Sequence, residues 1–340
     1  MGKQKATIEQ TISKMFGDDV LTSGHSILNK KNIIISVSPK INLILGGGIP
    51  EGSFVIFTGQ PKYGKTTLAL DFVSECQKEN CGGEFCPEGR EVYYYNVEGR
   101  LKSRDVEGIP GLNMDKFHII ESKMGKILHA EEYLQIGEML INDKLGSVHI
   151  FDSFSALCTE AEQTTEMNQM QRADGAKLLA KFCRKVANVI PVNKNIIIGI
   201  THLMGNPTGY GKAFKEKSGQ SIAYQVDVKL QAVSMKAWKD KNENQIGQEV
   251  EWQCITSAIG PPGKKTVSYL RYGSGIDKVQ ELITLACDLG IIKKGGAWYT
   301  LQFLNMDEPP NLQGLEKTRQ ALIDNPEWLE ELNNQIKTLL

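Results

Sequence analysis

The stretch Ser53–Thr67 (SFVIFTGQPKYGKTT) limits what this chain can fold into more than any other. An apolar run, Phe54-Val55-Ile56-Phe57, breaks into a glycine-rich turn. That turn opens onto Leu68, Ala69, Phe72, Val73 and Cys76 at helical spacing. Gly59 to Thr66 fits G-x-x-x-x-G-K-[ST], a phosphate-binding loop. The glycines allow successive backbone N–H groups to converge on phosphates, and the new helix points its positive end at them. Lys65 is spaced to reach the terminal phosphates of a nucleotide, and the Thr66 hydroxyl to complete a Mg²⁺ shell. Gly59, Gln60, Pro61, Lys62, Tyr63, Gly64, Lys65, Thr66 and Thr67 are therefore the expected nucleotide cradle. A flexible glycine turn with a surface lysine is the bland alternative. Strand, loop and helix in the required order argue against it.

The chain has 340 residues, room for one large α/β domain with appendages or for two modest domains. Its formal net charge of −1 means that a polyanionic partner must be held by local basic patches. No stretch approaches the ~20 consecutive apolar residues that span a bilayer, and the N-terminal MGKQKATIEQ lacks a signal-peptide core, so no membrane partner is expected. Seven scattered cysteines fit a reduced, cytoplasmic protein. Cys76, Cys81 and Cys86 lack a C-x₂-C pair, so an ordinary turn-rich insertion over 76–90 is preferred to a zinc site.

Residues 1–33 read as an arm, with Ile8, Ile12, Met15 and Phe16 striping a short helix. Such a small core must dock on something, either its own domain or a neighbouring subunit. Strands are expected at 32–36, 92–97, 117–120, 147–151 and 195–200, with helices at 131–141 and 175–190. This alternation predicts a mostly parallel sheet covered on both faces, in a core spanning 34–273. Residues 226–230, 249–255 and 266–270 read as antiparallel additions joined by a polar turn at 239–244. Residues 274–340 read as a small C-terminal module. Its last helix has Asn325 as N-cap and Pro326 at the first position.

Asp152 ends the apolar run SVHIF, where a phosphate-loop enzyme holds Mg²⁺ together with the Thr66 hydroxyl. A turn-forming strand end is the alternative. Glu98 ends VYYYNVE and is the candidate general base for water attacking the γ-phosphate, against a merely solvated carboxylate. His202 follows NIIIGI and Thr201, where a polar side chain can touch the γ-phosphate; a packed or capping histidine is the alternative. Residues 203–218 (LMGNPTGYGKAFKEKS) form a long glycine-broken segment mixing lysines with Tyr210 and Phe214. Cations and rings together suit single-stranded nucleic acid, which marks Lys212, Phe214, Lys215 and Lys217; a solvated lid is the alternative. A second polar segment, 159–173, follows the Asp152 strand.

The ordered set KQKATIEQTISKMFG, GQPKYGKTT, YNVEGRL, IFDSFSAL, THLMGNP, KSGQSIAYQVDVKL, LRYGSG, DLGIIKKGGAWY and NPEWLEEL resembles the RecA family of homologous-recombination ATPases, bacterial and phage, over nearly the whole chain. The resemblance implies an α/β, RecA-like P-loop core with an N-terminal helical arm packing on the adjacent protomer and a small C-terminal α/β domain. It implies helical filaments on single-stranded DNA that pair with homologous duplex DNA, and single-strand-binding and mediator proteins as further partners. It makes Glu98, Lys65 and His202 catalytic and Asp152 a metal carboxylate, and it places Tyr272 near the base of ATP. Segments 160–173 and 203–218 become DNA loops, carrying Arg172, Met204, Gly205 and Asn206. Lys177, Arg184, Ser218, Gly219 and Gln220 match DNA-contacting positions. Two lysines that reach across the subunit interface in bacterial members are Thr256 and Ala258 here, leaving Lys264, Lys265 or monovalent ions as substitutes. A hexameric helicase, a DNA-repair ATPase, an autokinase and a non-enzymatic assembly protein remain alternative readings.

Overall fold

The computed structural model describes residues 7–29, 32–79, 81–83, 85–166, 174–205, 214–216, 225–240 and 242–339. Chain contacts divide it after Asn32 into two units. The first carries α1 (Ile8–Phe16) and α2 (His25–Asn29). Thr7 and Gln10 form a reciprocal capping box that starts α1, and no side chain of this helix is buried.

The second unit opens with β1 (Ile34–Ile35), α3 (Pro39–Leu45) and β2 (Ile49–Pro50), β1 and β2 pairing antiparallel. The strand expected over 32–36 is thus only two residues long. Helix α3 was not expected, although its signals are local. Ser38 accepts the Ile41 N–H, Pro39 takes a first-turn position, and Gly46 closes the helix in the left-handed conformation.

The core follows as β3 (Phe54–Gly59), α4 (Lys65–Cys76), β4 (Val92–Asn96), α5 (Ser103–Glu107), β5 (Phe117–Ile120), α6 (Ala130–Asp143), β6 (Val148–Asp152) and α7 (Glu160–Thr164). It continues through α8 (Asp174–Val186), α9 (Val189–Asn193), β7 (Ile196–Gly205), β8 (Phe214–Glu216), β9 (Val228–Lys239), β10 (Gln245–Thr256), β11 (Lys265–Arg271) and β12 (Gly275–Ile276). The strand order is β12-β11-β10-β9-β3-β7-β6-β4-β5, with β8 pairing β7. From β9 to β5 every neighbour is parallel; β10, β11 and β12 are antiparallel. Strand β9 corrects the expectation of a purely antiparallel addition, because it lies parallel to β3 on one side and antiparallel to β10 on the other. Side chains alternate between two faces. Val55, Phe57, Val92, Tyr94 and Ile150 pack with α4, whereas Phe54, Ile56, Tyr95 and Phe151 pack with α6, α8 and α9.

Two further expectations are revised. The single helix over 175–190 ends at Val186, and α9 starts separately at Val189. Pro191 explains the break. It lacks an N–H and would clash inside a continuous helix, but it is tolerated in the first turn of α9. The irregular segment expected at 203–218 begins as a hairpin. Leu203 pairs with Glu216, Met204 with Lys215 and Gly205 with Phe214.

The chain closes with α10 (Lys278–Asp288), β13 (Lys293–Gly295), β14 (Trp298–Thr300), β15 (Asn311–Gln313), α11 (Leu315–Asp324) and α12 (Pro326–Leu339). These elements share a separate apolar cluster that includes Ile283, Leu301, Leu322 and Leu332. Asn325 precedes α12 as expected, but its side-chain amide donates to Ala321 O at 2.7 Å. Its carbonyl accepts from the Trp328 and Leu329 N–H groups at 3.0 and 3.3 Å, so it occupies the N-cap position of α12 while its side chain closes α11.

Candidate functional site

The site is built where β3, β4, β6 and β7 end on the same edge of the sheet. The turn after β3 needs unusual backbone. Gly64 sits at φ +73°, and a Cβ there would come within 2.3 Å of the Leu270 side chain. Lys62 adopts φ +67°, a conformation uncommon for a residue with a side chain. Lys65, the first residue of α4, is buried, and its ammonium donates to Gly59 O at 3.0 Å and Gln60 O at 2.7 Å. Burial pulls it down to about 8, against the opposing pull of Asp152 and Glu98. An arriving phosphate would offer this cation a better partner than two loop carbonyls.

Thr66 Oγ1 donates to Asp152 Oδ2 at 2.7 Å. The Tyr94 hydroxyl donates to that same oxygen at 2.6 Å. Desolvation raises the Asp152 carboxyl, and these two hydrogen bonds act the other way. The Asp152–Ser153 peptide is cis. Glu98 lies beyond the end of β4, with its N–H bonded to Asp152 O at 3.1 Å. Its Oε1 accepts from Ser153 Oγ at 2.6 Å and pairs with His202 Nε2 at 2.7 Å; the exposed Arg100 lies 3.7 Å from Oε2. The hydrogen bond from His202 pulls the Glu98 carboxyl down to about 2, overcoming partial burial. Glu98 is thus ionised at neutral pH, as a base must be. The parallel register puts His202 opposite Gly59, beside the start of the phosphate loop, and the His202 N–H is fixed by Ser155 Oγ at 2.9 Å.

One cleft takes in Pro61, Lys62, Gly64, Lys65, Thr66 and Thr67, and reaches Glu98, Asp152, His202 and Tyr272. Gly59 and Gln60 contribute carbonyls to Lys65, whereas Tyr63 packs against the apolar core. Tyr272 follows β11, and its hydroxyl accepts from Gln245 Nε2 at 2.6 Å. The sequence reading passed over Tyr94, Ser153 and Arg100. Ser153 directly follows Asp152, so its position was a usable signal. Tyr94 touches Asp152 only through the pairing of β4 with β6.

Lys177 and Arg184 lie on the exposed side of α8, with Leu179, Phe182, Cys183 and Val186 buried opposite. The exposed Lys181, at helical spacing between them, was not singled out in the sequence. Met204 and Gly205 end β7, and Phe214 and Lys215 lie in β8. Arg172, Asn206, Lys212, Lys217, Ser218, Gly219 and Gln220 lie outside the described residues. Thr256 ends β10, Ala258 follows it, and Lys264 and Lys265 are exposed where the chain returns into β11. Among the described residues no group of three or more His, Cys, Asp or Glu side chains is placed to hold a metal. Cys76 is buried on α4, and Cys81 and Cys86 are partly exposed. No helix of the described residues is long and apolar enough to cross a membrane.

Two family models match the chain, RecA N-terminal domain over residues 3–277 and RecA C-terminal domain over 280–340. Protein RecA of Ruminococcus albus is 27% identical over 329 residues, covering 96% of this chain and 77% of that protein. Protein RecA of Streptococcus pneumoniae is 28% identical over 333 residues, covering 96% and 81%.

Proposed function

The chain belongs to the RecA family, as a DNA-dependent ATPase and recombinase, and on that premise we propose how its own residues do the work. One observation carries the assignment of roles. Lys65, Thr66, Asp152, Glu98 and His202 meet at one cleft, linked by hydrogen bonds of 2.6–2.7 Å from Thr66 to Asp152 and from Ser153 and His202 to Glu98.

The loop N–H groups and the start of α4 receive the phosphates of ATP, and Lys65 exchanges its two loop carbonyls for the terminal phosphates. A hydroxyl and a carboxylate held 2.7 Å apart beside a phosphate loop suit a hard cation, so Thr66 and Asp152 are the pair that would hold Mg²⁺. Bound there, Mg²⁺ would neutralise charge on the phosphates. Glu98 accepts the proton of the attacking water, with Ser153 fixing its orientation. His202 leaves Glu98 for the γ-phosphate, and because it sits on β7, its movement bears directly on the β7–β8 hairpin. Tyr272 borders the base.

The family binds DNA as a filament. In this chain Lys177, Arg184 and the β7–β8 hairpin are the DNA face we propose, with Lys181 joining them. Single strands are held there and homologous duplex is tested by base pairing, so sequence specificity resides in the DNA. The unburied apolar stripe of α1 supports docking on an adjacent protomer. Lys264 and Lys265 are the candidates to reach the neighbour's ATP, and single-strand-binding and mediator proteins are the further partners. Electron microscopy of the protein with ATP and single-stranded DNA tests this reading. Helical filaments that vanish in Lys65→Ala are expected. Closed rings, or filaments indifferent to Lys65→Ala, would overturn it.

A further inference from the structure

We propose that the Tyr94 hydroxyl is a positioning group for the Asp152 carboxylate, aligning it for the divalent cation. This inference rests on the reading of Thr66 and Asp152 as the metal pair. Tyr94 is the middle of three consecutive tyrosines on β4, and strand alternation separates it from the other two. Tyr93 and Tyr95 point to the α6–α8 side, where both stack on His149, while Tyr94 points to the α4 side and is buried there. Parallel register places Tyr94 opposite Ile150 and Asn96 opposite Asp152. Asp152 is therefore two residues further along the same face, ~6.6 Å of strand rise. A phenol is long enough to cover that distance with its oxygen, and the hydroxyl arrives 2.6 Å from Oδ2.

Oδ2 then holds two donors, Tyr94 and Thr66, while no donor among the described residues is directed at Oδ1. Two donors on one oxygen oppose rotation of the carboxylate and leave the other oxygen facing the cleft. Thr66 can keep donating to Asp152 while offering a lone pair to a cation, since a hydroxyl has one donor and two acceptor sites. Among the described residues the Tyr94 hydroxyl has no other hydrogen-bond partner; its ring lies against Phe117, with centroids 5.8 Å apart. A phenylalanine would fill the same space and leave Oδ2 with one donor.

The test is equilibrium binding of a fluorescent ATP analogue to the full chain at increasing MgCl₂, for wild type, Tyr94→Phe and Asp152→Asn, with thermal unfolding in parallel. Tyr94→Phe should move the half-maximal Mg²⁺ concentration about tenfold upward, in line with losing one charge-assisted hydrogen bond. It should leave the Mg²⁺-free nucleotide affinity unchanged. Asp152→Asn should move the half-point further. A shift in Asp152→Asn with none in Tyr94→Phe, even with a lowered unfolding midpoint, would make Tyr94 structural only and overturn the proposal. If neither variant shifts, the metal-pair reading itself fails and takes the proposal with it. Tyr94→Met, a second hydroxyl-free side chain, should reproduce the shift if the phenylalanine variant does not fold; an unchanged half-point there overturns the proposal equally.

Discussion

Replacing Glu98 with glutamine separates the catalytic role of this side chain from its structural one. In the wild type Oε1 accepts from Ser153 Oγ at 2.6 Å and pairs with His202 Nε2 at 2.7 Å. A glutamine carbonyl can accept the same two bonds, so the side chain should stay in place. The ion pair with Arg100 is lost, but it spans 3.7 Å with the Arg100 side chain 83% exposed, and such a pair contributes about 0–1 kcal/mol. What changes is Oε2, which becomes an amide nitrogen and can no longer take a proton from water. General-base catalysis is worth about 10²- to 10⁴-fold, so the DNA-stimulated turnover number should fall by that factor. Nucleotide affinity and the unfolding midpoint should stay close to wild type. The assay is steady-state phosphate release at saturating ATP and single-stranded DNA, with filament lifetime followed by light scattering. Slow hydrolysis should give persistent filaments. Turnover within threefold of wild type would remove Glu98 from its role, and a large loss of nucleotide binding would show that Glu98 holds the site together instead of acting as its base.

Three further outcomes follow from other parts of the structure. Arg90 is fully buried and donates to Cys81 O, Gly146 O, Lys194 O and Glu51 Oε2, so Arg90→Met should cost about 3–5 kcal/mol in chemical denaturation by leaving those carbonyls without their donor and Glu51, among the described residues, with only the Ile33 N–H and Lys194, 3.5 Å away; a cost under about 1 kcal/mol would refute that role. His149 is buried between Tyr95 and Ser147, and burial pulls it down to about 3 from an ordinary 6.5. The unfolded chain therefore takes up its proton first. This stability is fully present above pH 6.5 and declines toward pH 3, at about 1.4 kcal/mol per pH unit. Urea denaturation at pH 7 and 5 should show about 2 kcal/mol of this loss, and His149→Gln should flatten it; an equal slope in that variant would refute the assignment. Lys181→Ala should weaken single-stranded DNA binding and lower the slope of log affinity against log salt by about 0.7, whereas an unchanged slope would place Lys181 off the DNA path.

The phosphate loop was legible in the sequence because its spelling is set by chemistry at fixed spacing. Glu98, Asp152 and His202 were legible because strand ends can be read locally and a parallel sheet gathers such ends along one edge. Tyr94 and Lys181 were not singled out, for different reasons. The first depends on the register of two strands that bring together residues 58 apart in sequence, and the second reads as an ordinary surface lysine until α8 is oriented. Tyr63, expected in the nucleotide cradle with its loop neighbours, has a partly buried ring packed against the apolar core. Other misses were failures of reading. Ser38-Pro39 before Ile41, Ile44 and Leu45 is a helix start that an apolar run obscured, and Pro191 marked a break between two helices where one was expected. The two neighbours of β9 were out of reach, because a strand does not announce in its own residues which strands flank it.

The role assigned to this ATP site is to drive strand exchange. The direct measurement mixes the protein, ATP, circular single-stranded DNA and homologous linear duplex, and follows joint molecules on a gel. Joint molecules that require both ATP and homology, and that disappear in Lys65→Ala, are predicted. Circles fully coated by protein in the presence of ATP, with no joint molecules formed, would contradict the account.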